Sequence, residues 1–457
     1  MKKRRLSPYL LVILSFLVGI LVGGFLLTLP IARTDNTWGR YEDGVFMATS
    51  AVCVTGFDCY QSGLGNTLTY FGKIVEMVLI QIGGLGFITV LTFIITLFKG
   101  KIAFKDRYYL SQATSSNTIA HVIAFVRKVF LITIAIELIG FALMIPAFLD
   151  MRGNTADAYF NCAFHSVSAF NNAGLDLFGF GTSFIRSNPL LAGMSDWAYY
   201  YLLCVTMLLI ILGALSYIAL IEIFSFKKRP RQWSAHTKIC VIMSAILILG
   251  GTLLLFLTNC LIHPENGINA FDCLFLSVSS RTAGFATVDM NSLSTAGRVI
   301  DWMLMFIGGG PLGTASGIKT TTIFIIMVTI YSFMRGRKVT AFHRTYSPSL
   351  IVKAMAVMLT SLFIVIIGYV AVSMFEINNP NLTGEKAIYE TISAFSNTGL
   401  SMGLPTTLSI GGKITYVVLM FVGRLGPMTM FSVFSTNMHI DEDETHVNYV
   451  EEDILIG

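Results

Sequence analysis

One short pattern occurs four times in the chain, and each copy joins small polar residues to a glycine. The copies SAVCVTGF, SAFNNAGL, SSRTAGFA and SAFSNTGL begin at residues 50, 168, 279 and 393. Glycine readily adopts a positive φ, which lets the carbonyl groups of a turn point toward one centre. Four such turns around one axis would surround water with carbonyl oxygens, and these can replace the hydration shell of a monovalent cation.

The two residues before each glycine are small or polar, so they leave room for a narrow pore. The residues predicted to select the ion are Val54, Thr55, Gly56, Asn172, Ala173, Gly174, Thr282, Ala283, Gly284, Asn397, Thr398 and Gly399. None of them carries a carboxylate, whereas a site for a divalent ion favours anionic oxygen ligands. The alternative is that the glycines only allow helices to pack closely. The same placement of all four copies favours a pore.

The composition is that of a membrane protein. Of the 457 residues, 54% are hydrophobic and 12% are charged, and the mean hydropathy is +0.71. A soluble domain carries about 25% charged residues. The net charge of +5 comes from basic loops and does not indicate nucleic-acid binding. The sequence contains no pairing of a nucleophile with a base and no metal-binding spacing, so we do not expect an enzyme or a bound cofactor.

Each glycine turn lies between two long apolar segments. The eight segments lie near residues 9–30, 70–98, 126–149, 197–226, 239–262, 299–334, 350–375 and 412–436. A shorter apolar stretch precedes each turn, at residues 42–53, 156–171, 268–281 and 385–396. A helix needs about 20 apolar residues to cross the bilayer, so the long segments are predicted to span it and the short ones to be re-entrant.

These segments predict an all-α polytopic membrane protein. Four helix–pore-loop–helix repeats would surround a central pore on a pseudo-fourfold axis. The predicted units are repeat 1 at 1–98, repeat 2 at 99–226, repeat 3 at 227–334, repeat 4 at 335–436 and a C-terminal tail at 437–457. The acidic tail has two open interpretations, a solvated segment or a docking strip at a subunit interface.

Clusters of lysine and arginine predict the orientation in the membrane. They occur at residues 2–5, 99–107, 227–231 and 335–344, which share one side of an eight-span topology. The positive-inside rule places that side, both termini and the tail in the cytoplasm, with the glycine turns near the outer half. The same basic residues are suited to contact anionic lipid.

The sixth apolar segment contains a second candidate site. As one helix, residues 299–334 would be about 54 Å long, against a hydrocarbon core of about 30 Å. The residues that interrupt it are Gly308, Gly309, Gly310, Pro311, Gly313, Thr314, Ser316 and Gly317. Proline and glycine disfavour a continuous helix. We predict a loop that lies across the pore below the selective ring and acts as a gate. No comparable break is expected in the second helices of the other repeats.

Three charged residues in or beside the spans have competing interpretations. Arg424, in FVGRLGPM, either extends to the membrane edge or lies beside the pore, where it could bind the loop or form a positive barrier. Lys319, just after the loop, has the same two interpretations. Glu137 is the one central acid, and it is either paired structurally or used to couple transport to protons.

The residues resemble a known superfamily. VTGF at 54–57, SAFNNAGL, RTAGF, GGGPLGTASGIKTTT and FVGRLGP are similar to the Trk, Ktr and HKT potassium transporters, above all to the membrane subunits of bacterial Ktr systems. The resemblance implies potassium uptake across the plasma membrane through a gated, channel-like pore. It also implies a homodimer and a cytosolic ring of RCK-type subunits, which would bind the regulatory nucleotide.

Two other functions remain open at this stage. The resemblance favours potassium because Gly56 is glycine, whereas relatives with serine there tend toward sodium. A sodium-permeable or sodium-coupled relative is the first alternative. A proton-coupled carrier that works by alternating access is the second.

Overall fold

The computed structural model describes residues 8–86, 119–178, 184–186, 188, 191, 193–225 and 230–426. These residues are mostly helical, with one small hairpin formed by β1 (Thr340–Ala341) and β2 (Arg344–Thr345). The predicted tail at 437–457 lies outside them. The basic clusters at 2–5 and 99–107, and part of the cluster at 227–231, also lie outside.

Three kinds of helix recur along the chain. The first helix of each repeat is α1 (Pro8–Thr28), α5 (Ile119–Arg152), α9 (Ala235–Phe256) or α13 (Pro348–Phe375). The short pore helices are α2 (Tyr41–Cys53), α6 (Ala156–Asn171), α10 (Ala270–Ser279) and α14 (Gly384–Ser396). The second helices are α4 (Tyr70–Leu85), α7 (Asp196–Ala214) with α8 (Tyr217–Phe224), α11 (Thr295–Phe306) with α12 (Thr320–Met334), and α15 (Ile410–Leu425). One short helix, α3 (Leu64–Thr67), precedes α4.

Several helices are long and apolar enough to cross a bilayer. Within the described ranges they are 124–152, 196–214, 235–261 and 348–375, and shorter apolar helices include Val12–Thr28 and Thr320–Met334. The second helices of repeats 1 and 4 reach the end of a described range at residues 86 and 426. The count of eight spans therefore stays a prediction.

Large apolar side chains cover the outside of the molecule, and the polar residues of the glycine turns are buried inside it. Leu249, Leu359 and Phe363 on the first helices are 64–68% exposed. Thr55 and Asn397, in the glycine turns, are fully buried. This distribution suits a protein whose outer surface faces hydrocarbon and whose irregular backbone is enclosed by protein.

The second helices of three repeats begin with the same local signal. The side chains of Thr69, Ser294 and Ser409 each accept a hydrogen bond from the backbone N–H of a glycine three residues later. Such a cap satisfies one of the free donors in the first turn of a helix. The sequences TYFG, STAG and SIGG therefore start these helices at corresponding points of the repeats.

Ion pairs connect consecutive repeats at these helix starts. Arg298 follows the capped glycine of repeat 3, and it pairs with Glu385 in the pore helix of repeat 4 at 2.6 Å. Lys413 occupies the same position in repeat 4 and pairs with Asp43 in the pore helix of repeat 1. The link from repeat 4 back to repeat 1 closes the arrangement into a ring.

The structure corrects one prediction about the second helices. We expected residues 197–226 to form one uninterrupted helix, but Leu215 and Ser216 separate α7 from α8. In repeats 1 and 4 the helices end at Leu85 and Leu425, each before a glycine with φ of 80°. Repeat 2 therefore also has an interrupted second helix. In repeat 2 its physical cause is the loop of repeat 3, which binds the backbone at that point.

Candidate ion pore

The four glycine turns meet around one axis in the order of the repeats. A Cβ atom added to Gly56 would lie 2.7 Å from the carbonyl oxygen of Ala173, and one added to Gly174 would lie 2.7 Å from that of Ala283. Cβ atoms on Gly284 and Gly399 would lie 2.2 and 2.1 Å from the carbonyl oxygens of Thr398 and Thr55. Each turn therefore touches the next, and the fourth touches the first. All twelve predicted selective residues belong to this ring.

The backbone of the ring adopts conformations that direct its carbonyl groups away from helical hydrogen bonding. Each glycine has a positive φ, from 65° at Gly174 to 102° at Gly56. The first residue of each turn also has a positive φ, which is uncommon for residues with a side chain. These residues are Val54, Asn172, Thr282 and Asn397, with φ of 54–69°. Strain of this kind persists where the surrounding structure holds it, often at functional sites.

One serine in each pore helix holds its turn in place. The backbone N–H groups of Gly56 and Gly399 donate to the hydroxyl oxygens of Ser50 and Ser393 at 3.2 and 3.0 Å. In repeat 2, the hydroxyl of Ser168 donates to the carbonyl of Leu175 at 2.6 Å. Ser279 does the same to Phe285 in repeat 3. These serines were not among the predicted site residues, although each one opens its copy of the pattern.

Repeat 3 reaches the ring through a shorter connection. In repeats 1, 2 and 4 the middle residue of the turn donates its N–H to the carbonyl of the serine five residues earlier, as Thr55 does to Ser50. In repeat 3, Ala283 donates to Ser279, four residues earlier. The copy in repeat 3 has one residue fewer between its first serine and its glycine, but only the shared geometry identifies which residues correspond.

The C-terminal ends of the pore helices point at the ring. α2, α6 and α14 end directly before the first residue of a turn. The C-terminal end of a helix carries a partial negative charge. The ring therefore combines carbonyl oxygens with a negative field, which favours a cation.

A cavity of about 370 Å³ opens on one side of the ring, and its lining includes all four ring glycines. Three carboxylates, Asp58, Asp176 and Asp289, also line it. Asp58 and Asp176 follow the ring glycines of repeats 1 and 2 by two residues, and neither was among the predicted site residues. We refer to this cavity as the acidic vestibule. Carboxylates in a narrow cleft raise the local concentration of cations.

The interrupted segment of repeat 3 lies against the ring residues and the pore-helix ends. The hydroxyl of Thr314 donates to the carbonyl of Phe170, two residues before the ring residue Asn172, at 3.2 Å. The N–H of Ser316 donates to the hydroxyl of the ring residue Thr282 at 3.2 Å. We refer to residues 308–317 as the intramembrane loop.

The intramembrane loop is bonded to the break in the second helix of repeat 2. The N–H of Gly310 donates to the carbonyl of Ala214 at 2.8 Å, and that of Thr314 donates to Gly213 at 3.1 Å. In return, the N–H of Tyr217 donates to the carbonyl of Leu312 at 3.0 Å. The backbone groups that α7 and α8 leave free at their junction therefore find partners in the loop.

Arg424 links the intramembrane loop to two further repeats. From repeat 4, its guanidinium donates to the carbonyl of Thr314 and to the hydroxyl of Ser316, the latter at 3.0 Å. It also donates to the carbonyls of Gly83 and Gly84 at the end of α4 in repeat 1. Lys319 donates to the carbonyl of Ala315 at 2.7 Å. Of the two interpretations open for Arg424, these contacts favour the one that places it beside the pore.

Comparison with known proteins identifies the family. Residues 20–444 match the sequence profile of the family described as "TrkH: Cation transport protein". This chain belongs to the TrkH cation transport family.

Two relatives match this TrkH-family chain along almost its whole length. The potassium/sodium uptake protein NtpJ of Enterococcus hirae is 33% identical, and the match covers 100% of this chain and 99% of that protein. The Ktr system potassium uptake protein B of Bacillus subtilis is 34% identical, with 99% and 97% covered. The crystal structure of the potassium transporter TrkH from Vibrio parahaemolyticus superimposes with a TM-score of 0.69 at 19% identity, covering 94% of this chain and 86% of that one. The last match supports the fold.

Glu137, the central acid of this TrkH-family chain, has side-chain partners. Its carboxylate accepts hydrogen bonds from the side-chain amides of Asn171 at 2.9 Å and of Gln81 at 3.2 Å. Asn171 directly precedes the ring residue Asn172. This pairing favours a structural role for Glu137, in which it supports the end of the repeat 2 pore helix.

We expect the charge of Asp176 in the acidic vestibule to help collect cations. Asp176→Asn keeps the acceptor for the N–H of Phe178, which lies at 2.8 Å, and removes one negative charge. Uptake at low external cation concentration should fall by roughly fivefold, the equivalent of about 1 kcal/mol of charge attraction near water. Initial uptake rates over a range of cation concentrations measure this change.

The matched variant adds a charge at the corresponding position of repeat 3. Ala286 also follows a ring glycine by two residues and lines the same cavity. We expect Ala286→Asp to raise uptake at low cation concentration, and both effects should shrink at high ionic strength because salt screens exposed charges. Equal uptake by both variants and the wild type at low ionic strength would contradict a role of vestibule charge.

Proposed function

We propose that this chain is the pore-forming subunit of a potassium uptake system in the plasma membrane. The observation that supports this most strongly is the closed ring of backbone carbonyls, to which each repeat contributes one turn. Such oxygens replace the hydration shell of a monovalent cation without a fixed ligand charge. The membrane potential drives uptake, with about 2.3 kcal/mol per charge for each 100 mV.

Potassium is the proposed ion. The name of the Bacillus subtilis relative refers to potassium. A glycine at position 56, in the turn of repeat 1, agrees with the choice of potassium. A pore that also carries sodium is the second candidate, since the Enterococcus hirae relative is named a potassium/sodium uptake protein.

The intramembrane loop is the proposed gate of this pore. Its Ser316 contacts the ring residue Thr282, and its Thr314 contacts the end of the repeat 2 pore helix. The loop is bonded to repeats 2 and 4 and is linked to repeat 1 through Arg424, so a small rearrangement of the repeats changes its contacts. The acidic vestibule lies outside the cell in this proposal, and the loop lies on the path from the ring to the cytoplasm. Both termini are cytoplasmic, as are the exposed Arg335, Arg337 and Lys338 beyond α12.

The proposed assembly is a homodimer with a separate cytosolic ring of RCK-type subunits. The word "system" in the name of the Bacillus subtilis relative supports more than one component. In this proposal the regulatory nucleotide binds the RCK-type subunits. The cytosolic assembly of these subunits then moves the intramembrane loop through the cytoplasmic ends of the second helices.

Complementation of a bacterial strain that lacks its own potassium uptake tests the function. The full chain, with and without a co-expressed RCK-type subunit, should restore growth at low external potassium and accumulate rubidium. Parallel flux measurements with sodium alone and with potassium plus sodium separate the two candidates. Sodium flux without potassium flux would overturn the proposal. A dependence of rubidium uptake on external sodium would support the sodium-coupled variant.

A further inference from the structure

Two cysteines from different helices of repeat 3 lie in contact. The sulfur atoms of Cys260 and Cys273 are 3.6 Å apart, and both are free thiols in the structure. Cys260 lies in the π-helical turn Leu257–Leu261 that follows α9, and Cys273 lies in the first turn of the repeat 3 pore helix. We propose that this pair is an oxidisable dithiol, which forms a disulfide on the outer side of the membrane.

The π-helical turn holds Cys260 in position. The side chain of Asn259 donates to the carbonyl of Leu255 at 3.0 Å and accepts from the N–H of Ser294 at 2.9 Å, so the turn is tied to the start of α11. The thiol of Cys260 donates to the carbonyl of Ile268 at 3.1 Å. These contacts keep the residue beside the chain that leads into α10. The two sulfur atoms need to approach by only about 1.5 Å to reach the length of a disulfide bond.

The two thiols differ in access, which gives the reaction a definite order. Cys260 is partly exposed, whereas Cys273 is buried. The thiolate of Cys260 attacks a low-molecular-weight disulfide and displaces one of its thiols, which leaves a mixed disulfide. The thiolate of Cys273 then attacks the sulfur of Cys260 and displaces the second small thiol. The protein gives up two protons and two electrons, and the small disulfide is reduced to two thiols.

The location of the pair determines what the bond would constrain. Asn291, which lines the acidic vestibule, lies three residues before Ser294 and places this end of α11 on the vestibule side. The disulfide would close the segment 260–273 and fasten the first helix of repeat 3 to its pore helix. That pore helix leads directly to the ring residues Thr282, Ala283 and Gly284. Closing a segment of the chain stabilises the folded state by restricting the unfolded one.

Thiol counting on the full chain in membranes tests the proposal. We expect oxidised glutathione to remove two thiols from those that a polymer-linked maleimide labels after denaturation, relative to the reduced protein. Cys260→Ser should lose none, and Cys273→Ser should lose one, because the mixed disulfide on Cys260 then has no second thiol to resolve it. Cys204→Ser, which removes an exposed thiol on α7, should still lose two. Peptide mapping of the oxidised wild type should show residues 260 and 273 linked, and its melting temperature should rise.

Other outcomes would overturn the dithiol. These are retention of all thiols in the wild type, or a disulfide that joins Cys260 or Cys273 to another cysteine. The outer location rests on the proposed orientation, and a separate measurement addresses it. A membrane-impermeant maleimide should label Cys260 in intact cells and not in sealed inside-out vesicles. The reverse labelling would overturn the orientation, while thiol counting would still decide the dithiol.

Discussion

Gly399→Ala is expected to reduce cation uptake strongly while the protein still folds and reaches the membrane. The new Cβ atom would lie 2.1 Å from the carbonyl oxygen of Thr55 in the neighbouring turn, a distance that no packed structure accommodates. The residue would also keep a φ near 87°, which costs a side-chain-bearing residue roughly 1–2 kcal/mol. We expect uptake to fall by at least about tenfold, as measured by initial rubidium flux at matched amounts of membrane protein.

Gly403→Ala is the control that separates the effect of backbone strain from that of the clash between the new Cβ atom and a neighbouring carbonyl. Gly403 also has a positive φ, of 92°, and lines the acidic vestibule, but an added Cβ atom meets nothing within 4 Å. Its uptake should stay close to that of the wild type. Among the ring glycines, Gly284 should follow Gly399 in severity, since its Cβ atom would lie 2.2 Å from a carbonyl, against 2.7 Å at Gly56 and Gly174. Wild-type flux through Gly399→Ala would refute the ring as the ion path.

Deletion of residues 309–316 is expected to raise uptake, because it removes the body of the intramembrane loop from below the ring. The ends of the loop already meet. Ile307 and Ile318 pair in a parallel bridge, and the N–H of Ile318 donates to the carbonyl of Phe306 at 3.1 Å. Joining Gly308 to Gly317 therefore leaves α11 and α12 in place. Cation flux should rise even in the absence of an RCK-type subunit. The measurement is rubidium uptake by the chain expressed alone.

Arg424→Gln tests the same role of the intramembrane loop with a milder change. It removes the guanidinium contacts with Thr314, Ser316 and the end of α4. It leaves the backbone bonds between the loop and repeat 2 intact, so the increase in flux should be smaller than for the deletion. If neither variant exceeds the wild type, although both are present in the membrane at normal levels, the loop does not restrict the pore.

The positions of the pore helices and turns could be predicted from the sequence because their signals are local. The stretch 156–171 was predicted from its length and its distance to the glycine, and the structure has a pore helix at Ala156–Asn171. The break in the sixth apolar segment was predicted from the density of glycine and proline around residue 310, and no helix covers residues 307–319. In both cases the deciding residues are neighbours in the chain.

The break between α7 and α8 could not be predicted in this way. Leu215 and Ser216 contain no strong helix-breaking signal, and their segment is as apolar as a continuous span. The carbonyls of Ala214 and Gly213 beside the break are satisfied because they accept hydrogen bonds from the N–H groups of Gly310 and Thr314, about 100 residues away. The acidic vestibule was missed for a related reason. Asp58 and Asp176 are far apart in sequence, and only the ring brings them to one cavity.

By itself, the sequence determined the membrane class, the fourfold repetition and the residues of the ring, because composition and repeated spacing are properties of the chain alone. The tertiary structure decided that each turn contacts the next and that the fourth closes on the first. It also decided that Arg424 joins the intramembrane loop to repeats 4 and 1. The physical reason is that these contacts join residues separated by more than 100 positions, and no local preference encodes which of them meet.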